Sequence, residues 1–157
     1  MDNFEIGRSH KIVTAVLPQT GAAIGAGDFI NAGKCHKIQC VVTLAYGADV
    51  DCVVSFLEAD DVAGTNAQAV TAELEITANV DVSLTDSLTR QTPAANYTID
   101  TGDGKSQKVT FTIYPAQLSD GKPALAVTIG NSDAANIISA DYVCVPRYDD
   151  TVSLLTD

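Results

Sequence analysis

Apolar and polar residues alternate along several short segments of the chain, which is the period of a half-buried β-strand. The alternation is clearest at residues 38–44 and 52–56. Gly47 lies in the short connection between them, and glycine accepts the positive φ of a tight turn. We therefore predict a β-hairpin whose apolar residues all lie on one side. The predicted register has Tyr46 opposite Val50, Leu44 opposite Cys52, Val42 opposite Val54 and Cys40 opposite Phe56.

A second strand pair is predicted at residues 108–114 and 124–129, where apolar residues again occupy every second position. The segment between the two strands begins at Pro115 and reaches Gly121. Proline at the start and glycine after the end favour a single helical turn there.

Further strands are predicted at Lys11–Leu17, Val70–Thr77, Asn96–Asp100 and Ile137–Val145. With about seven or eight strands, and turn residues roughly every ten positions, the chain is typical of antiparallel all-β folds. No segment sustains the 3.6-residue period of a helix, so a parallel sheet with crossover helices is disfavoured. The predicted fold is all-β, a single antiparallel β-sandwich or jelly-roll-like barrel with short terminal arms.

Three parts of the chain are distinguished by this pattern. Residues 1–10 are predicted to be an N-terminal arm, residues 11–145 the β-sandwich domain and residues 146–157 a C-terminal arm. Acidic, turn-rich ends become ordered mainly when a partner holds them. The candidate contact residues in the arms are Asp2, Asn3, Phe4, Ile6, Arg8, Arg147, Tyr148, Val152, Leu154 and Leu155.

Composition narrows the range of partners. The chain has 157 residues and a formal net charge of −11. Nucleic-acid binding relies on clustered basic residues that neutralise phosphates, so a nucleic-acid partner is not expected. The apolar run from Ile12 to Leu17 is too short to span a bilayer, and no membrane partner is expected either. The first ten residues lack the features of a secretion signal, which favours folding in the cytoplasm.

The cysteines and histidines do not form a metal-binding pattern. Cys35, His36 and Cys40 lie close together in the sequence, but Cys52 and Cys144 lack the closely spaced partners of a structural zinc site. The cysteines are expected to be buried, reduced thiols.

Two other motifs resemble ligand sites without matching them. Gly102–Ser106 ends like a phosphate-binding loop, but Ile99 stands where that motif needs a glycine and a strand follows instead of a helix. We interpret this segment as a hairpin turn. The acidic pairs at 49/51, 60/61, 100/103 and 149/150 do not have EF-hand spacing, although a calcium site built from distant loops stays open.

The sequence therefore predicts a protein that presents surfaces and catalyses no reaction. Catalysis has no support in the sequence, because neither histidine belongs to a recognisable nucleophile arrangement, and no cofactor is expected. One face of the second strand pair is mostly small or uncharged, and we expect it to be exposed and to favour assembly. The residues of that face are Lys108, Thr110, Thr112, Ala124, Ala126 and Thr128.

Three segments carry a resemblance to a known group of proteins. They are Ile12–Ile30, with its Leu17-Pro-Gln-Thr-Gly21 and Gly27-Asp-Phe-Ile30 motifs, Ser83–Thr92, and Asn131–Val143 with the following Pro146-Arg-Tyr148. Together they resemble small structural proteins of tailed bacteriophages, some of which are head decoration, or cement, proteins. The resemblance covers most of the chain in order and spacing.

This resemblance implies a virion protein on the capsid exterior, bound to the major capsid protein and reinforcing the head. A homo-oligomer is expected, with a trimer favoured. The acidic charge suits the outer surface better than an inner wall that faces packaged DNA. The alternatives are a tail, baseplate or head-to-tail connector component, or a receptor- or carbohydrate-binding β-sandwich.

Overall fold

The computed structural model describes residues 9–147 and 153–156. Within these residues the chain forms strands joined by loops and two short 3₁₀ turns, at Ala32–Lys34 and Pro115–Gln117. The strands are β1 (Lys11–Thr20), β2 (Gly25–Ala26), β3 (Ile30–Asn31), β4 (Cys35–Ala45), β5 (Cys52–Ala59), β6 (Gln68–Ala69), β7 (Glu75–Asn79), β8 (Thr89–Arg90), β9 (Tyr97–Ile99), β10 (Gln107–Ile113), β11 (Ala124–Ile129) and β12 (Ile137–Pro146).

The strands form two antiparallel sheets packed as a sandwich, which confirms the predicted all-β fold. Sheet A has the order β1-β12-β4-β10-β7-β8. Sheet B has the order β2-β11-β5-β6, with β3 also paired to β11 and β9 to β5. No helix among the described residues is long and apolar enough to cross a membrane.

The core lies between the sheets and is built from the alternating apolar positions. The inward residues of β4 and β5, from Ile38 to Leu44 and from Cys52 to Phe56, are essentially fully buried. Phe56 of sheet B meets Phe111 of sheet A edge to face, with ring centroids 5.0 Å apart and planes at 73°. Such edge-to-face pairs add about 0.5–1.5 kcal/mol beyond the area they bury.

The predicted hairpin between β4 and β5 is wrong. β4 pairs with β10 and β12 in sheet A, whereas β5 pairs with β11, β9 and β6 in sheet B. The connection crosses from one sheet to the other, so the two apolar faces oppose each other across the core instead of lying side by side. A single apolar face on each strand satisfies both arrangements, and alternation alone does not distinguish them.

Buried Asn136 holds this crossover. Its side-chain oxygen accepts the backbone N–H groups of Gly47 and Ala48 at 2.7 and 2.9 Å. Its amide nitrogen donates to the Ala48 carbonyl at 3.0 Å and to the Ser132 hydroxyl at 2.8 Å. A Cβ at Gly47 would overlap the Ala135 carbonyl, so the crossover requires glycine at this position.

The predicted pairing of residues 108–114 with 124–129 is also wrong. β10 belongs to sheet A and β11 to sheet B, and the connection again crosses between the sheets. The predicted helical turn is confirmed as the 3₁₀ turn Pro115–Gln117. Gly121 follows it with a positive φ of 76°.

The face expected to be exposed on these two strands is largely buried. Thr112 is 9% exposed, and Ala124 and Ala126 are 0% exposed. β11 has neighbours on both sides, and the longer Leu57 side chain stands opposite Ala126. Short side chains between larger neighbours are shielded, so only Lys108 of this set is fully exposed.

The remaining predicted strands are found with shifted bounds. The strand predicted at Lys11–Leu17 extends to Thr20, and the strand predicted at Ile137–Val145 extends to Pro146. The strand predicted at Asn96–Asp100 is shorter and covers Tyr97–Ile99. Val70–Thr77 is displaced to Glu75–Asn79. Four two-residue strands, β2, β3, β6 and β8, were not predicted, because so short a run carries no periodicity.

Candidate functional site

The described part of the predicted C-terminal arm is attached to the sandwich. The Lys34 ammonium donates to the carbonyls of Ser153 and Thr156 at 3.2 and 2.5 Å. The Asn31 N–H donates to the Leu154 carbonyl at 2.7 Å. The Leu154 side chain is 3% exposed and belongs to the core, whereas Leu155 is 50% exposed. Residues 153–156 therefore form a docked segment with one apolar side chain directed outward.

Arg147 lies at the same end of the sandwich. Its Nε donates to the Cys35 carbonyl at 2.7 Å, and its backbone N–H donates to the Lys34 carbonyl. These bonds fix the backbone where β12 ends, while the residue as a whole stays exposed.

The other predicted contact residues of the arms lie outside the described residues. They are Asp2, Asn3, Phe4, Ile6, Arg8, Tyr148 and Val152. Of the predicted set, the structure brings Leu154 and Leu155 together with the start of β1.

An apolar cleft is formed where the docked segment meets β1. Ile12 and Val13 line one side, Leu154 and Leu155 line the other, and the cleft has a volume of about 480 Å³. Lys11 and His10 also line it. Ile12 is 58% exposed, so both walls present aliphatic side chains to solvent. We refer to this feature as the apolar cleft.

A second cleft, of about 590 Å³, lies beside the loop that follows the 3₁₀ turn Pro115–Gln117. Pro115, Leu118 and Pro123 contribute apolar surface to it. Its lysine, Lys122, is already engaged, because its ammonium lies 2.6 Å from an Asp60 carboxylate oxygen.

A buried carboxylate stabilises the same end of the sandwich. Glu58 is 2% exposed and accepts hydrogen bonds from the Gln68 amide at 2.7 Å and the Ser119 N–H at 2.8 Å. Burial by itself raises the pKa of Glu58, but these bonds and the charge of Lys122 outweigh it and the pKa is lowered. Glu58 is therefore ionised in the folded protein at neutral pH.

The loops at the opposite end bring several carboxylates together. The Asp51 carboxylate accepts the Thr101 N–H at 2.8 Å, and the Asp100 carboxylate accepts the Gly102 N–H at 2.9 Å. Asp49 also approaches the Thr101 hydroxyl. These carboxylates order the turn. Across the described ranges, no group of three or more His, Cys, Asp and Glu side chains is placed to hold a metal ion.

The segment that ends like a phosphate-binding loop is a turn, but the predicted hairpin is wrong, because this turn connects β9 of sheet B to β10 of sheet A. The Gly104 N–H donates to the Thr101 carbonyl at 2.9 Å, and Gly104 has a φ of 69°. β10 begins at Gln107 directly afterwards. No helix follows the glycines, so the backbone does not form a phosphate cradle.

All four cysteines are free and buried, as expected. Burial raises the pKa of Cys52 to about 11 and raises that of Cys40 further. The thiols of Cys35 and Cys144 interact, and this interaction raises the pKa of Cys144 and lowers that of Cys35. This contact was not predicted, since 109 positions separate the two residues and only the pairing of β4 with β12 brings them together.

The two packed sheets define a β-sandwich domain, and exposed apolar side chains line a cleft at its end. The chain matches no family model and no curated protein sequence. Among solved structures it is similar to the SPBc2 prophage-derived protein YomS, at 10% identity and a TM-score of 0.46, covering 85% of this chain and 92% of that one.

Two further likenesses are looser. The Yersinia pseudotuberculosis-derived mitogen has 13% identity and a TM-score of 0.37, covering 94% of this chain and 96% of that one. The Clostridium thermocellum xylanase 10B structure, containing CBM22-1 and GH10 modules, has 8% identity and a TM-score of 0.38, covering 94% of this chain and 28% of that one. At these TM-scores none of the likenesses bears on function.

Proposed function

We propose that this protein is a structural component of a tailed-bacteriophage virion, and that it is a decoration protein on the capsid exterior. In this role it binds the outer surface of the major capsid protein lattice and stabilises the head without catalysing a reaction. The resemblance of three segments, which are distributed between Ile12 and Tyr148, to small phage structural proteins is the sequence support. The net charge of −11 is compatible with a surface remote from packaged DNA.

The observation that supports the proposal is that the start of β1 and the docked segment 153–156 lie next to each other. β1 begins at Lys11, which pairs with Cys144 near the end of β12. The docked segment 153–156 lies against the same part of β1. The described residues of both predicted arms therefore lie at one end of the sandwich. Contact residues gathered at one end of a folded domain suit attachment to a repeating lattice.

The copy number in the particle tests this function. We expect purified virions of the phage that encodes this protein to contain it at a copy number comparable to that of the major capsid protein. Quantitative mass spectrometry measures this number. A small fraction of that number would instead identify a tail, baseplate or connector component. Absence from the particle would leave receptor or carbohydrate binding as the alternative and would overturn the proposal.

An add-back experiment tests the contact end. Capsids that lack the protein are incubated with the full chain or with a variant that lacks residues 1–8, and bound protein is measured after sedimentation. We expect the deletion to weaken binding while thermal unfolding stays cooperative. Unchanged binding of the deletion variant would contradict a contact through the N-terminal arm.

A further inference from the structure

Two buried cysteines from distant parts of the chain meet in sheet A. Cys35 is the first residue of β4, and Cys144 lies near the end of β12, 109 positions later. β4 and β12 pair along their length, with Cys144 opposite Ile38 and Pro146 opposite Cys35. Both cysteines are 0% exposed, and their thiols interact. The fold therefore places two free thiols beside each other in the core.

An irregularity in the strand pairing puts the two cysteines on the same face. The inward positions of β4 are the even-numbered ones in 38–44, so a regular strand would direct His36 inward next. The register of β4 and β12 instead shifts at Pro146, and His36 is exposed while Cys35 is buried. Cys35 thus stands diagonal to Cys144 on one face. Diagonal neighbours lie about 7–8 Å apart, with their Cβ atoms somewhat closer, and a disulfide needs a Cβ separation of about 3.5–4.5 Å. The pairing of β4 with β12 ends here, so a small backbone shift closes the remaining distance and leaves the rest of the ladder intact.

Two basic side chains lie near this pair. The Arg147 Nε donates to the Cys35 carbonyl at 2.7 Å, and Lys11 of β1 pairs directly opposite Cys144. The interaction with Cys144 and the charges of Arg147 and Lys11 lower the pKa of Cys35, although burial opposes them. Burial instead raises the pKa of Cys52 to about 11. The thiolate is the reactive form of cysteine, so Cys35 is the more nucleophilic of these thiols.

The docked segment 153–156 lies over the residues that precede Cys35. Its Leu154 carbonyl accepts the Asn31 N–H, and its carbonyls accept the Lys34 ammonium. The Cys35 Sγ is 4.0 Å from the Asn31 carbonyl oxygen. Short segments near a chain end open locally at a lower free energy than global unfolding. Release of the docked segment therefore gives a small oxidant a route to Cys35 while the sheets stay packed.

We propose that Cys35 and Cys144 form an intramolecular disulfide when the folded protein meets a peroxide outside a reducing compartment. The Cys35 thiolate attacks one oxygen of hydrogen peroxide and the O–O bond breaks, which gives a sulfenic acid. The departing hydroxide takes up the proton that Cys35 has lost and becomes water. The Cys144 sulfur then attacks the Cys35 sulfur, the S–O bond breaks, and the second hydroxide leaves as water with the Cys144 proton. Two thiols are oxidised to one disulfide, and one peroxide is reduced to two waters.

The cross-link joins β12 covalently to β4. A bond that closes a long loop removes more conformational freedom from the unfolded chain than one that closes a short loop, and these cysteines are 109 positions apart. A reducing cytoplasm keeps thiols free, so the bond forms after folding and stabilises the protein once it has left that compartment. This modification does not depend on the capsid role and extends beyond it.

Peptide mapping of the purified full chain tests the proposal. The protein is treated with hydrogen peroxide or with a phosphine reductant, peroxide is removed with catalase, and remaining thiols are alkylated in denaturant. Trypsin cleaves after Lys34 and Lys37, so Cys35 and Cys40 fall on different peptides. We expect mass spectrometry to find the Cys35 and Cys144 peptides joined within one chain. Two alkylated thiols after peroxide, irreversible oxidation of Cys35 without a cross-link, or a bond to a different cysteine would overturn the proposal.

Thermal unfolding tests the stabilising effect of the cross-link. We expect the peroxide-treated wild type to melt about 5 °C or more above the reduced protein, and a reductant to reverse the gain. Cys144→Ala should lose both the cross-link and the gain. Cys52→Ala is the matched control, because it removes a buried cysteine of sheet B and keeps the pair. The comparison of oxidised with reduced wild type decides the question even if Cys144→Ala does not fold. A cross-linked wild type that melts no higher than the reduced protein would contradict the proposed stabilisation.

Discussion

Individual side chains satisfy backbone groups that strand pairing leaves without a hydrogen-bond partner. β11 pairs with β2 and with β3, and between them the Gly27 N–H donates to the Val127 carbonyl at 2.8 Å, but neither strand accepts the Val127 N–H. Instead, the Val127 N–H donates to the hydroxyl of buried Tyr142 at 2.6 Å. Tyr142 belongs to sheet A and Val127 to sheet B, so one hydrogen bond joins the sheets through the core.

Replacing Tyr142 by Phe removes this bond and leaves a buried N–H without its partner. We expect the free energy of unfolding to fall by about 1–3 kcal/mol, because an unsatisfied buried donor costs its desolvation energy. Urea denaturation measures the change. Tyr46→Phe, at a 37% exposed tyrosine, is expected to change it by less than about 0.5 kcal/mol. Equal effects of the two substitutions would contradict the bridging role.

Glu58 makes the free energy of unfolding depend on pH in the acid range. Its folded-state pKa is lowered, so the ionised form stabilises the fold above the unfolded pKa of about 4.3. That contribution is lost as the pH falls from there through the folded-state pKa. We expect Glu58→Gln to lower the free energy of unfolding by about 1–3 kcal/mol at pH 7 and by much less at acid pH. Denaturant titrations at several pH values check this.

The exposed Glu73 offers a matched control for this titration. Because Glu73 is exposed, Glu73→Gln should change the free energy of unfolding at pH 7 by less than about 0.5 kcal/mol. A Glu58→Gln variant with the same acid dependence as wild type would show that the network of Ser119 and Gln68 does not favour the ionised form.

At the scale of the element, the docked C-terminal segment belongs in part to the core. Hydrogen bonds from the Lys34 ammonium hold its backbone, and the Leu154 side chain packs into the core beside β1. Sequence pattern assigned these residues to an arm, because an isolated Leu-Leu pair has no period that indicates burial. Only one of the two leucines is buried.

The adjacent leucines therefore make a matched pair of truncations. Leu154→Ala is expected to lower the free energy of unfolding by about 2–3 kcal/mol, through lost apolar contact and a cavity. Leu155→Ala should change it by less than about 0.5 kcal/mol, because its side chain is half exposed. Chemical denaturation distinguishes them, and a small effect of Leu154→Ala would place the segment outside the core.

The crossover between β4 and β5 depends on close backbone contact. Gly47→Ala places a methyl group against the Ala135 carbonyl, so the loop held by Asn136 has to shift. We expect a loss of roughly 1–3 kcal/mol of unfolding free energy, the usual cost of overpacking. Thermal unfolding should detect it. Gly121→Ala, where nothing lies within 4 Å of the added Cβ but φ is 76°, separates the cost of backbone strain from that of overlap.

The faces of the strands were predictable, whereas their partners were not. Alternation correctly identified the inward residues of β4, β5 and β10, because a period of two directs side chains to opposite faces. Alternation predicted the wrong pairing partners, because a strand with one apolar face can either pair with the next strand in one sheet or face it across the core. The crossover backbone is held by Asn136, which lies about 90 positions away in the sequence, and β4 is paired with β10 and β12, which are also distant. The apolar cleft also combines distant segments, so no local pattern could indicate it.

At the scale of the whole molecule, negative charge dominates. The chain carries 20 acidic and 9 basic residues. Within the described residues, the loops at one end contain Asp49, Asp51, Asp100 and Asp103, of which Asp51 and Asp100 accept backbone hydrogen bonds. A net charge this far from zero destabilises a compact state by self-repulsion.

Salt should therefore stabilise the folded protein. We expect the melting temperature to rise by a few degrees as sodium chloride is increased from low to physiological ionic strength, because the Debye length shortens to about 8 Å. Differential scanning calorimetry at a fixed protein concentration measures the shift. A melting temperature that falls with salt would indicate that attractive ion pairs outweigh the repulsion.

The position of β12 has a consequence for synthesis of the chain. β12 is the final strand in the described residues, yet it lies between β1 and β4 and pairs with both. While the ribosome is still making the earlier strands, β1 and β4 emerge without the neighbour that joins them. Unpaired strand edges on a nascent chain invite pairing with other chains. Completion of sheet A must therefore wait until β12 has been translated, and the edges of β1 and β4 stay open to pairing with other chains until then.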